Sequence, residues 1–339
     1  MMTNKNNWAN VLKGNASIKE VIAAANAAPA KTKVHTSGLS SLLPAMHVGR
    51  GSRYGNLTWF PIFTDAEVTT RDYVTRFDSK DVKLAEHDNA TVGSIKIQNS
   101  GKSKVILFEG TLLEGGWQHR ALTRTVLVNA KGVTELPVVC VEQGRWGGQA
   151  AQRIGSRQAP AKLRSAMRGM TKHGNLINQA QADQGRVWNE VSNYAAVNDA
   201  YNVTQSYVQM HDELEAQLAA LATEEVTPVY GQRGVIVAID GYPVALELFD
   251  HPDTLAERLQ SILDGFQVDA LAKPYRATPG QLARDFAMRI EQVGLSTRVD
   301  EQHLRNEPDA IVASEALVDG NHLLHLATLN AKHELVLAA

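Results

Sequence analysis

The chain has 339 residues, 44% apolar and 21% charged, with a net charge of −2 and a single cysteine. That balance suggests neither a disordered chain nor a membrane protein, and so small a net charge does not by itself imply a general polyanion-binding surface. The lone Cys140 excludes an internal disulfide and a Cys-rich zinc site, and suits a reducing compartment.

Residues 1–33 read as an appendage with one short Ala-rich helix near 17–28. They hold no apolar run of signal-peptide length, and no stretch of the chain approaches the roughly 20 apolar residues that span a bilayer. A cytoplasmic protein with no membrane partner is expected.

From 34 to 146 the pattern is that of strands. "NLTWFPIF", "SIKIQN", "KVILFEG", "ALTRTVLV" and "VTELPVVCVE" are short, rich in β-branched or aromatic residues, and punctuated by Gly, Asn, Asp and Ser. Residues 147–178 read instead as a long basic loop containing a short helix, with Pro160 near its first turn. From Gln143 to Ala182 there is no acid, while Arg145, Arg153, Arg157, Lys162, Arg164, Arg168 and Lys172 supply cations. Such a segment is either a solvated linker or an anion-binding flap, with Asp212, Glu213 and Glu215 as possible internal partners.

Two helices are expected within 179–222, the second behind a Thr204 cap, and their apolar stripes read as core packing. A β-hairpin turning at Asp240–Gly241 and further helices fill 228–292, the first helix opening near Asp253 with Leu255, Leu259, Ile262 and Phe266 inward. A C-terminal hairpin closes 309–328. Strands first, helices inserted and strands returning late predict an α+β fold: a mainly antiparallel N-terminal half, a helical hairpin, and late β-hairpins rejoining the sheet within one domain, 34–330.

The polar residues concentrate in "LLEGGWQHRALTRTVLV" (112–128) and "PVVCVEQGRW" (137–146). A three-residue turn at Ala130–Lys131–Gly132, with Gly132 left-handed, sets Arg120 opposite Glu142 and Leu122 opposite Cys140. Alternation then gives Gln118, Arg120, Cys140 and Glu142 one face. A two-residue turn would set His119 opposite Glu142 instead. Gly115 and Gly116 permit close backbone approach, while Gln118, Arg120 and Arg145 offer donors to carboxylate or phosphate oxygens. Each alone is more often structural; together they form a candidate pocket rim. Cys140 among valines reads as a buried small hydrophobe. No H-E-x-x-H, paired metal motif or phosphate loop is present, so no metal site is expected and the sequence identifies no cofactor.

These two stretches resemble the ARPP family, named for association with ADP-ribosylglycohydrolase and rhodanese-phosphatase. The matching positions are Gly115, Gly116, Gln118 and Arg120, then Pro137, Val138, Cys140, Val141, Glu142, Gly144, Arg145 and Trp146. Weaker echoes follow at "GVIVAIDGYPVALELFDHP" and "LVDGNHLLHL", where His325 falls on the family's late histidine; His119 stands where a smaller polar residue is usual. The resemblance implies a ligand class: an ADP-ribose-like or other phosphorylated nucleotide from NAD-derived metabolism, bound and, in an enzyme, processed. Gly115, Gly116, Gln118, Arg120 and Arg145 would then contact the ligand. Glu142 would orient Arg120 or act as base, and His325 would be a remote acid/base. The alternative is a non-catalytic interaction module whose basic 145–172 segment docks an acidic partner or nucleic acid. Whether the protein is an enzyme, and its oligomeric state, are open at this level.

Overall fold

The computed structural model describes residues 42–87, 92–168, 184–222, 224–307 and 309–337. The expected N-terminal appendage, and Lys172 of the basic segment, lie outside the described residues.

Three antiparallel systems share the molecule, apart from one short parallel pairing. A nine-stranded sheet begins with β1 (Met46–Val48), β2 (Ser52–Tyr54) and β3 (Leu57–Thr64). It is completed by late strands: β13 (Gly234–Ile239), β14 (Tyr242–Phe249), the short pair β15 (Thr297–Arg298) and β16 (His303–Arg305), and the hairpin β17 (Val312–Asp319) and β18 (His322–Asn330). β13 pairs with β3 in the register Val235↔Pro61, and β14 pairs with β18 as Phe249↔His325. The late hairpins therefore rejoin the early sheet, as the chain order implies. Asp240 and Gly241 both take positive φ, at 50° and 86°, in the expected two-residue turn.

The run "GVIVAI" of β13 is apolar at every position because both sheet faces are covered. Val235, Val237 and Ile239 pack beneath α4 (Pro252–Ala270), whose Leu255, Leu259, Ile262 and Phe266 point inward as expected. Ile236 and Ala238 pack beneath α5 (Gly280–Val293) through Phe286 and Ile290. A short terminal helix, α6 (Glu334–Leu337), follows β18.

The second system is a closed six-stranded barrel: β5 (Val82–Ala85), β6 (Ser94–Asn99), β8 (Thr111–Gly115), β9 (Arg120–Leu122), β11 (Val133–Cys140) and β12 (Ala151–Gln158). Its interior holds Val82, Leu84, Ile95, Ile97, Leu113, Leu122, Leu136 and Val138. The third is a small sheet of β4 (Tyr73–Val74), β7 (Lys104–Leu107) and β10 (Val126–Val128), in which β4 and β7 run parallel. Two helices, α2 (Gln184–Asn198) and α3 (Tyr207–Leu221), lie on the barrel's outer wall with Val187, Val191, Tyr207 and Met210 against Ala121, Val139 and Val141.

Several expectations are corrected. The basic stretch is not a loop over 151–158, where β12 is a barrel stave, although the expected short helix at Pro160 is present as α1 (Ala161–Met167). Alternation explains β12, since Gln152 and Gln158 are buried while Arg153 and Arg157 reach carboxylates at the surface. α3 starts two residues later than read, with Ser206 rather than Thr204 as N-cap, because Gln205 takes a positive φ of 50°. The strand expected over 118–128 breaks at "TRT": β9 stays in the barrel, whereas β10 crosses to pair with β7. The turn's left-handed residue is Lys131 (φ 56°), not Gly132.

Candidate functional site

The break at "TRT" resets the register on which the candidate rim was built. β9 pairs with β11 as Arg120↔Cys140 and Leu122↔Val138, two residues from the expected alignment. A shift of two preserves the face but changes every partner. Arg120 therefore pairs with Glu86, not Glu142, through Nη2 bonds of 3.2 and 3.0 Å to both carboxylate oxygens. Its Nη1 donates to the Val92 carbonyl and to Cys140 Sγ. Cys140 in turn donates to Gln118 Oε1, and Gln118 Nε2 donates to the Glu142 carbonyl. Cys140 is thus a polar node rather than a simple hydrophobe. Burial pushes its thiol up to about 11, against the opposing pull of Arg120, so it stays protonated at neutral pH.

Glu142 lies beyond the end of β11, bridged to Ser206, with a fully buried side chain. Burial alone would raise its carboxyl, but bonds from Arg145 and from the His119 backbone N–H bring it below the usual range. Arg145 also donates to the carbonyls of Gly116 and Gly115, at 2.7 and 3.1 Å. Both glycines take positive φ, 95° at Gly115 and 59° at Gly116, and a Cβ on Gly116 would collide with the Gln152 amide. The structure thus brings Gly115, Gly116, Gln118, Arg120, Glu142 and Arg145 together as one knot at the barrel's end. Each polar side chain in it is committed to an internal partner.

His325 is elsewhere and shares no partner with Glu142. It is 1% exposed, stacked on Phe249 at 4.8 Å, with Nε2 2.6 Å from Glu247 and Nδ1 2.8 Å from Thr125 Oγ1. Around it lies a buried charge cluster joining the barrel, both sheets and α1. Arg164 bonds Glu247 and Glu109, and Arg168 donates to Glu109 and to the carbonyls of Ala313 and Ala327. Burial would raise Glu247, yet Arg164 and then His325 hold it at about 2. The basic segment's remaining described cations are also matched: Arg145 by Glu142, Arg153 by Glu114, Arg157 by Glu114 and Asp212, and Lys162 by Glu190. Asp212 was among the anticipated partners.

A cleft of about 770 Å³ opens between β12, α3 and α4, on the outer side of this cluster. None of the signature residues, nor His325, lines it. Its floor is α4, brought against β12 at Gly265, where a Cβ would stand 2.7 Å from the Gln158 carbonyl oxygen. Arg258 projects into it with no carboxylate within ion-pair distance among the described residues. Its Nη2 donates to Gln158 Oε1 at 2.5 Å and to Thr111 Oγ1 at 3.4 Å, its Nε has no partner among the described residues, and its guanidinium sits 5.2 Å over the Phe108 ring. Burial lowers it to about 10, so it remains charged at neutral pH. Asp264 accepts from Tyr54 Oη and from Gln260 Nε2, and burial raises its carboxyl. Gln267 is 1% exposed, and its Nε2 is unpaired among the described residues.

Sequence reasoning missed this site because it took only the apolar stripe of α4. The same helix carries Glu257, Gln260, Asp264 and Gln267 at intervals of three and four, a polar stripe beside the buried one. Arg258 lies on the boundary. That second stripe was the available signal.

Among the described residues no group of three or more His, Cys, Asp or Glu side chains could hold a metal, and no helix is long and apolar enough to cross a membrane. Comparison with curated proteins found no match, and neither did comparison with solved structures. A family model does match, over residues 45–329, which embraces the barrel, the large sheet and the cleft. On that match the chain belongs to ARPP-1, the ARG and Rhodanese-Phosphatase-superfamily-associated Protein domain.

Proposed function

We propose that this protein binds an ADP-ribose-like or other phosphorylated nucleotide, and that the ligand sits in the α4–β12 cleft rather than on the signature knot. The observation that carries the reading is Arg258. A largely buried guanidinium on which Glu247 and Glu257 act only from beyond ion-pair distance, with no carboxylate in contact among the described residues, is a charge beside an open cleft that an anionic ligand would compensate further. Phosphate oxygens match its free donors, and the cleft's size suits a ligand of nucleotide scale. The family's association with ADP-ribose chemistry supports the same class. Asp264, a carboxyl raised by burial and hydrogen-bonded on one oxygen, is one of the cleft groups with general acid/base character, beside His211, if the ligand is processed.

Docking of an acidic partner or nucleic acid by the basic segment has less support, because its described cations already have carboxylate partners. A thermal-shift panel of NAD, ADP-ribose, AMP and inorganic phosphates tests the proposal. A ligand at a hundred times its Kd should stabilise the fold by about 2.7 kcal/mol, and Arg258→Gln should abolish the shift. No shift with any phosphorylated nucleotide would overturn it.

A further inference from the structure

Resting on the cleft as the ligand site, we infer that it is polarised: it takes a nucleoside monophosphate with the phosphate at Arg258 and a hydrogen-bond-accepting base edge at Gln267. Gln267 Oε1 accepts the Asn56 backbone N–H at 3.2 Å, which fixes which way the amide points. Its Nε2 then has two donors and no acceptor among the described residues, although the residue is only 1% exposed. Gly55, at φ 53°, packs directly on this amide, and any Cβ there would collide with it, so the side chain is held in place. A buried, immobilised and unpaired amide donor is a costly arrangement that an acceptor from the ligand would relieve.

The spacing fits the two ends of one molecule. Arg258 and Gln267 both line the cleft; nine residues apart on α4, they are separated by roughly 13 Å along the axis and about half a turn around it, so they flank the exposed polar stripe on opposite sides. Between them stands Asp264, its Oδ1 occupied by Tyr54 and Gln260. A carboxylate in that position accepts ribose hydroxyls and repels a second phosphate, so it favours a nucleoside in the middle of the cleft over a polyphosphate chain.

Calorimetric titration of AMP, ribose 5-phosphate and pyrophosphate into the full chain and two variants tests this. Arg258→Gln should weaken AMP and ribose 5-phosphate alike. Gln267→Met should weaken AMP about tenfold and leave ribose 5-phosphate unchanged, with AMP the tightest of the three on the unaltered protein. If Gln267→Met fails to fold, Gln267→Asn, which withdraws the amide by one methylene, should give the same selective loss. Equal effects of the Gln267 change on AMP and ribose 5-phosphate, or none on either, would overturn the polarity while leaving the Arg258 site standing. Failure of all three ligands to bind the unaltered protein would overturn this inference, and the underlying reading falls with it only if ADP-ribose and NAD also fail to bind.

Discussion

Arg120 shows how a correct motif can carry an incorrect partner. Its side chain is 3% exposed and that of Glu86 is 1% exposed, so neither charge has water to fall back on. Arg120→Met should therefore cost about 3–5 kcal/mol, most of it the penalty of leaving Glu86 ionised and unpaired. Adding Glu86→Gln should recover much of that loss in urea unfolding, because the stranded charge is gone. Adding Glu142→Gln instead should be close to additive, since Glu142 is held by Arg145 and the His119 backbone. Strong coupling of Arg120 to Glu142 and none to Glu86 would contradict the register. The shared face of Gln118, Arg120 and Cys140 was legible in the sequence, because strand alternation survives a shift of two. Glu86 was not: it arrives from 34 residues upstream, across a barrel whose closure no local pattern announces.

At the scale of elements, local chemistry marked hairpins and helices well. Asp240–Gly241 carries its own turn signal, and the stripe of Leu255, Leu259, Ile262 and Phe266 fixes the buried face of α4. β12 was hidden because "AQRIGSRQ" alternates glutamines and arginines around Gly155, and no propensity argument favours a strand there. Its partners β5 and β8 impose it. Helix contacts that depend on one buried acid were equally invisible. Asp269 on α4 accepts the Ala161 N–H at the start of α1 and the Tyr194 hydroxyl of α2, tying three helices together. Burial outweighs both bonds and raises its carboxyl to about 6. A raised acid binds its proton more tightly when folded, so its contribution is fully present below the unfolded pKa of 3.8 and is lost as pH rises through about 6. A shift of that size corresponds to about 3 kcal/mol. Asp269→Asn should flatten the slope of stability against pH between these values; an unchanged slope would show that Asp269 is not the titrating group.

For the whole molecule, chain order was enough to foresee an α+β fold with late hairpins returning to the early sheet, because β13 and β18 complete the sheet that β3 begins. What chain order could not supply is the joint between the large sheet and the barrel. That joint is the Glu109–Arg164–Arg168–Glu247–His325 cluster, whose five members come from four separate stretches and are each at most 2% exposed. The cleft opens beside this joint, with Arg258 and Gln158 forming the wall between them. The signature knot is conspicuous in sequence because it gathers unusual residues: positive-φ glycines, a buried thiol and paired buried charges. The cleft is inconspicuous because its polar groups are dispersed along one helix and one strand.

The most direct test separates these two places. Hydrogen–deuterium exchange of the full chain should be compared with and without saturating AMP. The account predicts slowed exchange in the peptides covering 154–158 and 257–267, with little change over 115–120 and 142–145. Protection concentrated on the 115–120 and 142–145 peptides, with the α4 and β12 peptides unmoved, would contradict it and return the ligand to the signature residues.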